Sequence, residues 1–291
     1  MELLDGKKTS LEIQNELGAK VNKLVKKGKT PPHLAAILVG EDGASRTYVN
    51  AKVKACENIG FKSTLHKLNA DVSQSELLKL IDTLNRDNSI DGFIVQLPLP
   101  KHIDDNKITL AINPKKDVDG FHPENVGKMT LGLPTFLPAT PNGIMELLKR
   151  YNIETEGKNT VVIGRSSIVG TPMSILMSRK SNPGNSTVTL AHSKTQNLKD
   201  ICLKADILIA AIGLPEFVTS EMVKPNAVVI DVGIHRIEDD SKKNGFRLIG
   251  DVKFDEVSSI CSFISPVPGG VGPMTIASLL MNTYSACNGR D

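Results

Sequence analysis

LAAILVGEDGASRTYVNAKVKACENIGFKSTLHKL, residues 34–68, decides the fold. LAAILV (34–39) is a short apolar run, which suits a strand covered on both faces. SRTYVNAKVKACENIG (45–60) reads as a helix closed by Gly60, since glycine tolerates the left-handed conformation at helix ends. FKSTLHKL (61–68) is a second strand. Working outward, SQSELLKLIDTLNRD (73–87) is a second helix, with Ser73 and Glu76 spaced as a capping box. DGFIVQLPLP (91–100) is a third strand, stopped by Pro98. Strand, helix, strand, helix, strand is the pattern of a parallel sheet with right-handed crossovers.

Beyond a Pro-rich joint, LPTFLPATP (133–141), the pattern resumes. NGIMELLKRY (142–151) is helical and NTVVIG (159–164) a strand. A helix follows Gly170, then come the strand STVTLAH (186–192), another helix, and the runs DILIAAIG (206–213) and NAVVIDVG (226–233). The joint near 140 is therefore the expected domain boundary. The helix after Gly272 comes too late for the second sheet and is expected to return to the first domain. The lysines at 20, 23, 26, 27 and 29 mark the solvated side of a helix and its exit loop.

Composition narrows the function. The chain has 291 residues, long enough for two domains, with 40% apolar and 23% charged residues. A net charge of +3 is too small for a nucleic-acid footprint, which is larger and clustered. No run approaches a membrane span. Four cysteines, Cys56, Cys202, Cys261 and Cys287, lie far apart without zinc-ligand spacing. With no secretory leader, they read as reduced thiols of a cytoplasmic protein.

VVIGRSSIVGTPM (161–173) sits at a strand-to-helix turn, where a helix N-terminus receives phosphate. Ser166 and Val169 replace the second and third glycines of the dinucleotide fingerprint, so a plain tight turn explains Gly164 equally well. Context favours a dinucleotide. An NAD enzyme of this architecture carries an acid at the next strand end, for the ribose 2′-hydroxyl. Here that strand ends in His192, Ser193 and Lys194. A guanidinium binds phosphate through paired, charge-assisted hydrogen bonds. NADP is the expected ligand, with Arg165, Ser166 and Ser193 around its 2′-phosphate.

Tyr48 and Lys52 are four apart and share one helix face. Gln96 ends the third strand, and Asp119 lies in DVDGFHP (117–123). The C-terminal rim of a parallel sheet brings such positions together. By spacing alone, a solvated lysine and a tyrosine at the core edge remain the plainer reading.

A larger set of blocks changes the weighting. YVNAKVKAC (48–56), VQLPLP (95–100), KDVDGFHPENVG (116–127), ATPNG (139–143), GRSSIVGTP (164–172), AHSKT (191–195), DVGI (231–234), GDV (250–252) and PVPGGVGPMT (266–275) occur in order. From end to end the chain resembles the methylenetetrahydrofolate dehydrogenase/cyclohydrolase family. Ala139 stands where many members have cysteine and Glu124 where an aromatic is frequent; neither position is catalytic in the family.

The resemblance implies an α/β protein with two parallel-sheet domains flanking a cleft. Residues 1–140 and 274–291 would form the folate-binding catalytic domain, and 141–273 a Rossmann-type NADP domain. It implies oxidation of 5,10-methylenetetrahydrofolate with NADP, then hydrolysis of the methenyl product to 10-formyltetrahydrofolate, in a homodimer. Lys52 would be the proton-transfer residue, its amine held by Gln96 and its pKa lowered by desolvation. Tyr48 would orient Lys52 and pack on the folate, and Asp119 would accept hydrogen bonds from the pterin. Pro268, Gly269 and Gly270 would let folate and nicotinamide approach the backbone, and Ile234 would touch the cofactor through its main chain. Asp231 and Asp251 stay unassigned, as caps or turn residues. Two rivals stand: a dehydrogenase that lacks the hydrolase or uses NAD, and a nucleotide sensor without turnover. Loss of Lys52 or Asp119 would favour the sensor, and both are present.

Overall fold

The computed structural model of the chain describes residues 1–242 and 245–289. In chain order its first elements are β1 (Glu2–Leu3), α1 (Gly6–Lys26), β2 (His33–Val39), α2 (Gly43–Asn58), β3 (Lys62–Leu68), α3 (Gln74–Arg86) and β4 (Gly92–Val95). Next come α4 (Asp105–Ala111), α5 (Pro123–Thr130), α6 (Ala139–Arg150), β5 (Asn159–Ile163), α7 (Gly170–Ser178), β6 (Thr187–Ala191), α8 (Leu198–Cys202) and β7 (Ile207–Ala210). The chain finishes with β8 (Val228–Asp231), β9 (His235–Glu238), β10 (Phe246–Ile249), α9 (Phe254–Val257), β11 (Phe263–Ile264) and α10 (Val271–Asn288).

Two compact units result: one from residues 11–139 and 276 onward, the other from 1–10 and 140–275. In the first unit, β3, β2 and β4 form a parallel sheet with β2 in the centre. Six of the seven β2 residues are buried, which explains its unbroken apolar run. The capping box of α3 is present: Glu76 N donates to Ser73 Oγ at 3.2 Å, and Ser73 N donates to Glu76 Oε2 at 3.0 Å. Leu77, Ile81 and Leu84 of that helix are buried, in one cluster with Ile37, Phe93 and Val95. From Ile276 onward α10 belongs to this unit, where Asn282 Nδ2 donates to Val118 O and Leu137 O at 2.8 and 2.9 Å.

The second unit is a six-stranded parallel sheet in the order β1-β11-β8-β7-β5-β6. All residues of β7 and β8 are buried, as expected of central strands under two helical layers. An antiparallel hairpin, β9–β10, stands apart from it.

The boundaries differ from the sequence expectation at the N-terminus. Residues 1–10 were expected in the folate-binding domain, yet they belong to the unit built from 140–275. Glu2 N donates to Ser262 O at 2.7 Å and Leu4 N to Ile264 O at 2.9 Å, adding β1 to the sheet edge beside β11. Leu4 is fully buried there. Two-residue strands have no detectable periodicity, so neither β1 nor β11 was legible.

Candidate functional site

In the unit of residues 11–139 and 276 onward, Lys52 lies one helical turn after Tyr48 on α2 and is 6% exposed. Its Nζ donates to Gln96 Oε1 at 3.1 Å. Gln96 follows β4, and its N–H still donates to Ile37 O at 2.9 Å, so the sheet fixes its backbone. Its side-chain Nε2 donates to Leu97 O at 2.7 Å. That bond turns Oε1 toward the lysine.

Asp119 is 8% exposed. Burial pushes its carboxyl above the usual range, the Lys52 charge pulls it back, and Asp117 adds a smaller upward push. The pull that Lys52 exerts on Asp119 places the two side chains in one neighbourhood. Tyr48 is half-buried, which raises its phenol, and no hydrogen bond joins it to Lys52 among the described residues. The lysine amine is therefore oriented by Gln96.

Sequence reasoning missed the supports of this loop. Asp117 pairs with Phe93 in a parallel bridge beside β4. Its Oδ2 accepts from His122 N at 2.7 Å and Asn125 Nδ2 at 2.8 Å. Asn125 Oδ1 in turn accepts from Thr135 Oγ1 at 2.7 Å. Gly120 has φ +75°, and a Cβ there would overlap the Leu137–Pro138 backbone. Asp119 is thus held on a loop tied at both ends. Two aspartates two apart in KDVDGF were the available signal, but both are buried, and it is the bonds from His122 N and Asn125 Nδ2 to Asp117 that separate their roles.

In the other unit, Gly164 follows β5 with φ +111°, and a Cβ on it would overlap the Ala211 carbonyl oxygen. Gly170, at the start of α7, has no room for a Cβ against the Gly164 carbonyl. These two glycines, rather than three, make the tight strand-to-helix turn. Ser166 Oγ accepts from Val169 N at 3.2 Å and Gly170 N at 3.3 Å. Arg165 and Ser166 are exposed on the turn, Ser193 is exposed just after β6, and Ile234 is 44% exposed after β8. All lie where strands of the sheet end. A backbone without side chains beside an exposed guanidinium and hydroxyls, with no acid after β6, suits a dinucleotide bearing a 2′-phosphate.

PVPGGVGPM belongs to the same unit. Lys7 N donates to Gly269 O at 2.8 Å, and Gly270 N donates to Pro266 O at 2.8 Å. Gly269 has φ +110°, and the Val267–Pro268 peptide is cis. A Cβ on Gly6 would overlap the Gly270 carbonyl, so the start of α1 packs directly on this turn.

The unassigned acids turn out to be buried. Asp231 Oδ1 accepts from Gly233 N and Asp251 N, both at 2.9 Å, and its Oδ2 accepts from Val252 N at 3.0 Å. Burial pushes the Asp231 carboxyl up to about 7, against the opposing pull of those N–H groups. Asp251 is fully buried; its Oδ2 accepts from Ile212 N at 2.8 Å and Gly213 N at 3.0 Å. His235 Nε2 lies 2.7 Å from Asp251 Oδ1.

Comparison with known proteins shows the family. Residues 4–119 match the tetrahydrofolate dehydrogenase/cyclohydrolase catalytic domain, and residues 138–291 its NAD(P)-binding domain. The chain is 66% identical to the bifunctional protein FolD of Cytophaga hutchinsonii over 286 residues, 98% of this chain and 99% of that protein. The crystal structure of the bifunctional FolD methylenetetrahydrofolate dehydrogenase/cyclohydrolase of Campylobacter jejuni superposes with a TM-score of 0.93 at 50% identity, covering all of both chains. The Trypanosoma brucei enzyme, solved with NADP cofactor and inhibitor, gives a TM-score of 0.93 at 38% identity, covering 98% of this chain and 96% of that one. The chain belongs to the tetrahydrofolate dehydrogenase/cyclohydrolase family.

Proposed function

We propose that Lys52, Gln96, Tyr48 and Asp119 carry the chemistry of this bifunctional enzyme, and that Gly164, Arg165, Ser166, Ser193 and Ile234 hold its NADP. The enzyme oxidises 5,10-methylenetetrahydrofolate to the methenyl compound and hydrolyses that to 10-formyltetrahydrofolate. NADP⁺, when bound, accepts the hydride from the methylene carbon at its nicotinamide C4.

The residues of this chain do the rest. Hydrolysis adds water to the cationic methenyl carbon and breaks its bond to N5: the first water proton leaves as the hydroxyl adds, the second passes from that hydroxyl to N5 as the formyl C=O forms, and one H⁺ is released overall. Lys52 takes the first and delivers the second. Gln96 Oε1 accepts from the amine and fixes the direction in which Lys52 meets the water. Asp119 accepts from the pterin amino and ring N–H groups and fixes the ring, while Tyr48 packs against it. Pro268, Gly269 and Gly270 offer backbone to the folate. Residues 11–139 with the C-terminal helix act as the catalytic domain, and 140–275 as the cofactor domain. The same reading extends to a homodimer working in the cytoplasm.

The buried Lys52–Gln96 hydrogen bond carries this assignment. Steady-state assays with NADP and with NAD test it, following methenyl absorbance in the near ultraviolet. The expected result is turnover preferring NADP, and hydrolysis of methenyl compound supplied without cofactor. Oxidation without hydrolysis would contradict the bifunctional assignment; a preference for NAD would contradict the 2′-phosphate site.

A further inference from the structure

The carboxylate of Asp251 is fully buried on a residue that no proposed contact to folate or cofactor requires. Its hydrogen bonds run between separate chain segments. One oxygen accepts from two consecutive peptide N–H groups, Ile212 and Gly213, in the loop that follows β7. The other faces His235 Nε2 at the start of β9. Gly213 has φ +71°, so this loop is a tight turn held by an anchor distant in sequence. Beneath the anchor, Asp231 accepts from Asp251 N and Val252 N and holds the Asp251 backbone at the end of β8. Neither Gly233 nor Gly250 has room for a Cβ against these two carboxylates.

What the anchor holds matters for the cofactor turn. Ala211 N donates to Ile163 O at 2.8 Å, and the Ala211 carbonyl fills the space that a Gly164 side chain would need. Ile234 sits between Gly233, bonded to Asp231, and His235, bonded to Asp251. We infer that Asp251, steadied by His235, is a positioning residue for the cofactor site, fixing residues 211–213 under the Gly164 turn and residues 233–235 beside it. The carboxylate supports the dinucleotide site from below and does not touch the ligand. The inference rests on the cofactor reading of this unit.

The test uses the full-length protein and three variants. Asp251→Ala removes every acceptor at once. His235→Leu removes only the imidazole, and His235→Gln restores an N–H donor in its place. NADP affinity is read by calorimetry, local order by hydrogen–deuterium exchange, and hydrolysis of supplied methenyltetrahydrofolate as a reaction that needs no NADP. Losing hydrogen bonds to a buried charge predicts that Asp251→Ala weakens NADP binding roughly tenfold or more. Exchange should quicken at residues 211–213 and 233–235, with β5 and β8 unchanged and hydrolysis intact. His235→Leu should show a smaller version of the same pattern, and His235→Gln should recover most of it. Unchanged affinity and exchange in Asp251→Ala overturn the inference, as does uniform quickening across the whole unit, which marks a purely structural residue. If Asp251→Ala does not fold, the histidine pair decides: indistinguishable affinity for Leu and Gln overturns it. Wild-type protein that binds no NADP contradicts the cofactor reading itself; wild type that binds, with variants equally tight, defeats only this inference.

Discussion

Arg165 stands exposed on the turn after β5, with the Ser166 hydroxyl capping the start of α7 beside it and Ser193 exposed after β6. Hydrogen bonds from a guanidinium to phosphate are worth roughly 1.5–3 kcal/mol. Arg165→Ala should therefore raise the dissociation constant for NADP about ten- to a hundredfold and leave that for NAD nearly unchanged. Titrations with both nucleotides check this; equal weakening would put the 2′-phosphate elsewhere. At this scale, legibility depended on where a residue's meaning lies. Lys52 and Gln96 stood out through the family blocks that contain them, since a helix face and a strand end alone left a solvated lysine as the plainer reading. Asp117, Asp251 and His235 were not, because an aspartate reads alike whether it caps a turn in solvent or anchors two loops in the interior. His235 follows DVGI with nothing in its neighbourhood to suggest a buried partner at position 251.

Among the elements, α3 was read from its first residue. The Ser73–Glu76 capping box satisfies backbone N–H groups that the helix cannot pair internally. Ser73→Ala should cost about 1 kcal/mol of stability, with both activities unchanged, since α3 carries none of the proposed site residues. Thermal and denaturant unfolding measure the cost; a loss of turnover without loss of stability would tie α3 to the chemistry. β2, β5, β7 and β8 were equally legible, because two-sided burial demands unbroken apolar runs. β9 and β10 escaped: HRIE alternates over only four residues, FRLI does not alternate, and polar residues surround both. The helices α4 and α5 depend on Asp104 and His122 as caps, signals that a Pro-rich, charged stretch conceals.

For the whole molecule, the two-sheet α/β plan and the return of the last helix followed from order and composition. The N-terminal ten residues did not, since their place depends on backbone hydrogen bonds from Glu2, Leu4 and Lys7 and a buried leucine rather than any pattern. The proposed division of labour puts proton transfer in the unit of residues 11–139 and NADP binding in that of 140–275. Lys52→Met tests this most directly, because methionine keeps the buried stem and removes only the amine. Hydrolysis of methenyltetrahydrofolate should fall by roughly 10²–10⁴, while the NADP dissociation constant measured by calorimetry stays within about twofold. Hydrolysis at the wild-type rate in this variant would contradict the account.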